Sequence, residues 1–309
     1  MNFDQKLTQK PTKYNNDRLH FFKYMSAATG KIVLSNRTLR WSTATHLNDP
    51  FDMQLDLPIR ADRQVVRRLA LSKLWNLYCQ TDPIPPRNVL SVMLEALRAT
   101  GRRMTRKQFN EELGAAFDEG YSQMLVTLPG IQRESAAIMK DTKILSLTTR
   151  PNNHLMWAHY GSASTGVALR FRSMPEIDGP FGMAKAVNYL SEVPELYNAE
   201  SLSDIFAGLD SMSPTAIVDK LVYTKSSEWN YEQEWRICSG AGRTQEAPYE
   251  DCPFGAEEID GLIFGMNTAA SDKTEFLEIA SRYPRIEIFQ VARSGRANFD
   301  IELRPYEPD

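Results

Sequence analysis

The change of hydrophobic period along the chain constrains its fold most. Up to about residue 60, and again from about residue 143, apolar residues come in short runs of the kind that form buried or half-buried strands. From Ala61 to about Lys140 they recur every three to four residues instead. Val65, Val66, Leu69, Leu74, Leu77 and Tyr78 make one helical stripe. Val89, Leu90, Met93, Leu94 and Leu97 make a second, opened by Pro85–Pro86 and stopped by Gly101. Phe109, Leu113, Ala116 and Phe117 make a third, capped by Thr105, and a fourth helix is expected near Gln132–Lys140. A block of about 80 residues is too long for a plain loop and must carry structure of its own.

Strands are expected at Leu19–Met25, Thr38–Ser42, Lys143–Thr148, Gly166–Phe171, Ala184–Tyr189 and Glu258–Phe264, with two more near Ile286–Ala292 and Phe299–Leu303. Ser26 caps a short helical turn that Gly30 ends, and Asn152 or Asn153 caps another over His154–Tyr160. Further helices are read at Ser201–Leu209, Ser213–Tyr223 and Ser271–Arg282. Strands and helices do not alternate regularly, which argues for an α+β fold. The expectation is a mixed or antiparallel sheet core with a helical insertion at about 61–140, after the second strand. One domain would span residues 18–309 behind a polar, flexible arm at 1–17.

Composition narrows the function classes. The chain has 309 residues, 42% hydrophobic and 24% charged, with a net charge of -3, so neither nucleic acid nor membrane is an obligatory partner. Cys79, Cys238 and Cys252 lack metal-type spacing, and an odd count argues against a disulfide framework. The N-terminus is polar, and no apolar run approaches the roughly 20 residues that span a bilayer. A cytoplasmic, soluble protein is expected. Residues 60–107 hold 11 Lys/Arg against three acids, an excess of 8. That block is either a set of solvated helix faces or a surface for RNA or DNA.

Three stretches could carry chemistry. In Asn48-Asp49-Pro50-Phe51-Asp52, side chains before a proline favour a fixed turn, with Phe51 as a core anchor; alternatively Asn48 or Asp49 orients a ligand hydroxyl. In the helix around His154–Tyr160, Met156 and Trp157 read as core, while His159 and Tyr160 are candidates for a pocket wall. His20, His46, His154 and His159 have no ligand spacing, so no metal is expected. The third stretch is Trp229–Arg236, W-N-Y-E-Q-E-W-R. If it is a strand, Glu232, Glu234 and Arg236 share one face, and Tyr231, Gln233, Trp235 and Ile237 share a core face. The charged face is either a salt-bridged surface with Arg236 and Lys225 or a catalytic wall. There is no P-loop, no G-x-G-x-x-G after a strand and no G-x-S-x-G elbow.

Taken together, F-K-Y, L-R-W-S-x-x-x-x-L-N-D-P-F-D, H-L-M-W-A-H-Y-x-x-x-x-x-G-V-A-L-R-F, V-N-Y and K-S-S-E-W-N-Y-E-Q-E-W-R resemble the bacterial family known as domain of unknown function 2971, from about residue 20 to 265. Asp52 stands where that resemblance leads one to expect glutamate. A more distant likeness comes from motif order: an early aromatic strand, then Trp41-Ser42-Thr43-Ala44-Thr45, then a late E-x-E. That order is similar to ADP-ribosyltransferases, and it implies NAD as cofactor and a protein or nucleic-acid acceptor, as for a toxin or defence effector. By that likeness Glu234 would stabilise the oxocarbenium transition state and Glu232 would orient the acceptor. Ser42 or Thr43 would support the pocket, and Tyr24 or Tyr160 would stack on nicotinamide. The family's arginine on the first strand is missing, with His20 and Lys23 the nearest substitutes. A non-catalytic binding or regulatory module, and a nucleic-acid enzyme using the basic block with His159 and Glu234, are the competing expectations.

Overall fold

The computed structural model describes residues 16–84, 87–101, 103–174, 179–212, 214–295 and 299–308. The chain forms two compact units. One joins the chain up to Met53 with Ile138–Ser191 and everything from Val222 on; the other joins Gln54–Ala137 with Glu192–Leu221.

The first unit is built on strands β1 (His20–Met25), β2 (Thr38–Thr43), β3 (Lys143–Thr148), β4 (Val167–Arg172), β5 (Lys185–Ala186), β6 (Asn188–Leu190), β7 (Thr224–Ser226), β8 (Glu234–Cys238), β9 (Tyr249–Pro253), β10 (Ile259–Phe264), β11 (Glu287–Arg293) and β12 (Ile301–Pro305). Ten of them form one sheet along the path β12-β11-β10-β4-β1-β3-β2-β9, with β8 pairing β3 and β5; β6 and β7 form a separate parallel pair. β10 and β11 run parallel while their neighbours are antiparallel, so the sheet is mixed and the fold is α+β, as the sequence pattern implied. The short strands β7 and β9 are polar and carry no alternation that would have announced them.

A fork in this sheet makes the site. β8 follows one edge of β3 from Ile144 to Thr148. The other edge is shared by two strands, β1 meeting it at Phe22/Thr148 and β2 at Ser42/Ile144 and Thr43/Lys143. Between those two contacts, among the described residues, Leu145–Leu147 on that edge has no strand partner. One face of the sheet is a wide apolar core including Phe21, Leu39, Trp41, Leu145, Leu147, Phe171 and Ile237. The opposite face carries a smaller core of Phe22, Tyr24, Met156, Trp157 and Ala168 beside the fork.

The helix Ala27–Asn36 joins β1 to β2, and Ser26 caps it through the Thr29 amide. Gly30 was expected to end it, and it does not. It lies inside the helix, where a Cβ would sit 2.6 Å from Val167 and 3.0 Å from Phe276; the glycine is there for close packing. Termination falls to Arg37, in the left-handed region at φ 53.

The second unit contains the helices Arg63–Cys79, Val89–Ala99 and Ala199–Ala207. Val66, Leu74, Leu90, Leu94, Phe109, Leu113 and Phe117 are buried as the periodicity implied, but Val89 is exposed. The third and fourth helices are one, Arg106–Asp141, with Pro129 inside it. A proline removes one amide donor and strains the preceding turn, yet a long, well-packed helix continues through it. Pro85, Pro86 and Arg102 lie outside the described residues, as do residues 1–15 of the expected arm. At its end, Asn16 donates to the carbonyls of Phe181, Gly182 and Ala184. Part of the basic block is ion-paired: Arg63 and Arg67 with Asp118, Lys73 with Glu200 and Asp204, Arg98 with Glu95.

Candidate functional site

At the fork of β1, β2 and β3 lies a cavity of about 220 Å³. Its walls bring together Lys23, Tyr24, Ser42, Asn48, Tyr160, Glu232 and Glu234, seven of the residues singled out in the sequence. Asp52, Lys225, Ser146 and Thr148 complete much of the polar lining, with Arg40 and His46 beside them.

The carboxylate segment is not the continuous strand that alternation suggested. Ser227–Glu232 is a 3₁₀ turn, Gln233 is left-handed at φ 47, and the strand starts at Glu234. Thr148 Oγ1 holds this turn by donating to the Glu232 carbonyl at 2.7 Å. Both carboxylates nevertheless reach one cation. Lys225 Nζ donates to Glu232 Oε2 at 2.6 Å and to Glu234 Oε2 at 3.1 Å. The charged side proves to be the buried one, and Trp235, on the expected core face, is only partly buried.

Behind Lys225 the network closes on Arg236, which is 0% exposed. Its Nε and Nη2 donate to the two oxygens of Glu234 at 2.7 and 2.8 Å, and its Nη1 and Nη2 to the two oxygens of Asp52 at 2.7 and 2.6 Å. Nη1 also donates to the Val222 carbonyl. Three carboxylates thus share two cations, Lys225 and Arg236, leaving one negative charge in surplus. Glu232 is the carboxylate of the three that Arg236 does not reach. Burial pushes its carboxyl above the usual range, and Lys225 opposes that only in part. For Glu234, burial would also raise the pKa, but Arg236, Lys225 and a hydrogen bond from Ser146 together outweigh it and hold the group at about 2. Tyr160 donates to Glu232 Oε1 at 2.5 Å, and its own hydroxyl is pushed up by burial and by the Glu232 charge.

Local structure aims these groups. Asn153 caps the helix His154–His159 by accepting from the Leu155 and Met156 amides, and its Nδ2 donates to the Tyr231 carbonyl. One side chain therefore ties the helix preceding Tyr160 to the turn carrying Glu232. Tyr24 donates to the Arg150 carbonyl at 2.6 Å and packs edge-on against Trp157, so its ring belongs to the core as well as to the cleft wall.

Other expected site residues lie elsewhere. His20 pairs with Asp260 at 3.2 Å. His159 is exposed, its Nδ1 2.8 Å from the Tyr231 hydroxyl, and does not line the cavity. Thr43 is buried and donates to the Pro248 carbonyl, because alternation along β2 turns it away from Ser42. Asp49 is buried in an Asx turn, accepting from the Phe51 amide at 2.9 Å. Phe51 is no core anchor: it is 69% exposed, while Asp52 and Met53 are buried. Arg236 lies beneath the cavity as a support for Glu234. Sequence reasoning missed Asp52 as a site residue, and it is separated from Arg236 by 184 positions. Its one signal was its place at the end of N-D-P-F-D.

No curated protein and no solved structure matches the chain. Residues 156–237, the stretch holding Tyr160, Lys225, Glu232, Glu234 and Arg236, match the model of the family described as Protein of unknown function (DUF2971).

Proposed function

We propose that the cleft binds the ribosyl end of NAD and that the protein is an ADP-ribosyltransferase-like enzyme, with Glu232 rather than Glu234 as the reacting carboxylate. The observation that carries this reading is the asymmetry of the two glutamates. Both glutamates line the cavity, but Glu232 has Tyr160 and Lys225 on its oxygens, whereas Glu234 has both oxygens bonded to the buried Arg236. In the reaction the C–N glycosidic bond breaks, nicotinamide leaves with the bonding pair, and positive charge develops on the sugar. Ionised Glu232 would stabilise that charge and take the proton of the attacking acceptor group. Ser42, Asn48 and Ser146 supply hydroxyl and amide partners for the sugar. Pockets for drug-sized ligands run to roughly 300–1,000 Å³. A cavity of about 220 Å³ suits one or two rings, so the adenosine half would lie outside it. A protein or nucleic-acid acceptor, in a toxin or defence setting, fits such chemistry.

The test compares wild type, Glu232→Gln and Glu234→Gln for NAD turnover and for transfer of labelled ADP-ribose to candidate acceptors. Wild type should consume NAD, and Glu232→Gln should lose about a hundredfold or more. Absence of both turnover and transfer in the wild type overturns the reading. A ligand-induced rise in melting temperature without turnover would identify a binding module instead.

A further inference from the structure

Lys23 is the cleft residue that the charge network leaves out. Its Nζ donates to the Ser146 carbonyl at 2.8 Å, at the edge of β3 where, among the described residues, no strand pairs. Among the described residues no carboxylate stands within ion-pair distance of it. An ammonium group carries three N–H donors, and among the described residues a single carbonyl takes one of them, in a side chain that lines the cavity. Tyr160 and Glu232, a hydroxyl donor and a carboxyl group able to hold a proton, line the same cavity.

We propose that Lys23 is an imine-forming residue, capturing small aldehydes or ketones in this cleft, with Glu232 as its proton shuttle. The nitrogen lone pair forms the N–C bond while the carbonyl π pair moves to oxygen. Glu232, ionised, takes a proton from nitrogen and passes it to that oxygen. In the second half nitrogen forms a double bond to carbon, the C–O bond breaks, and oxygen leaves as water with the second proton. Both hydrogens of the water come from the amine, so amine plus carbonyl gives imine plus water. The neutral amine this needs is accessible: burial lowers Lys23 to about 8, the Glu234 charge opposing only in part. At pH 7.5 that makes its neutral fraction roughly a hundredfold that of an ordinary lysine. Capture needs no NAD, and its success or failure is independent of ribosyl transfer.

The experiment traps the imine. Full-length wild type is incubated with glycolaldehyde and sodium cyanoborohydride at pH 7.5, without NAD, and labelled peptides are followed by mass spectrometry. Lys23 should label at least about tenfold faster than the exposed lysines Lys107 and Lys140. Glu232→Gln should slow labelling at Lys23 and leave the two surface sites unchanged. Lys23→Arg, which keeps the charge but cannot form an imine, should remove that peptide's label. Labelling of Lys23 in the wild type no faster than at Lys107 overturns the proposal whatever the variants do. Fast labelling that Glu232→Gln does not slow overturns the shuttle.

Discussion

Glu232 and Glu234 show how two like residues two positions apart acquire opposite roles. Glu234 is sealed against Arg236 and holds the floor together; Glu232 is the carboxylate of the three that Arg236 does not reach. Replacing Glu234 with Gln would leave the buried Arg236 guanidinium short of a partner, a change worth about 3–5 kcal/mol. Its melting temperature should fall steeply in a calorimetric scan. Glu232→Gln removes a surplus charge and keeps the shape, so at neutral pH it should melt no lower than wild type while losing NAD turnover. If the two variants lost equal stability, the division of labour would be wrong. The two glutamates and Arg236 were legible in the sequence; their roles were not, because charge balance depends on Asp52, far away in the chain.

At the scale of elements, two small features hold helices in place, one beside the cleft and one against the wide core. Asn153 caps the helix preceding Tyr160 and clasps the Tyr231 carbonyl. Asn153→Ala should therefore cost about 1–2 kcal/mol, read as a lower denaturation midpoint. It should also weaken any ligand binding that uses Tyr160, which loss of an ordinary surface cap would not do. Gly30 lets the helix Ala27–Asn36 approach Val167 and Phe276. A methyl group there must displace packed side chains, so Gly30→Ala should destabilise by about 1–3 kcal/mol despite its better helix propensity. An unchanged melting temperature would show that this interface yields easily. Helical periodicity located most helices, and caps such as Ser26 and Asn153 marked their starts. The 3₁₀ turn before Glu234 escaped, because a left-handed Gln233 leaves no pattern in side-chain hydrophobicity.

For the whole molecule, the buried network makes stability depend on pH in a defined direction. Glu234 has a folded pKa of about 2 against an ordinary 4.5, so its contribution is present above pH 4.5 and lost as pH falls towards 2. The loss is about 3 kcal/mol, and melting temperatures across that window should show it; Glu234→Gln should flatten the slope. Glu232, raised in the folded protein, works the other way, adding stability at low pH and losing it as pH rises through its folded value. Local pattern determined the α+β class, the existence of the helical block and the aromatic strands, since periodicity and caps act over a few residues. Only the tertiary structure decided where a cavity opens. The open edge of β3 depends on β1 and β2 each taking one end of it, and the network depends on Asp52, Lys225 and Arg236 converging from distant segments. Burial and charge balance are properties of that convergence, which no single stretch of the chain contains.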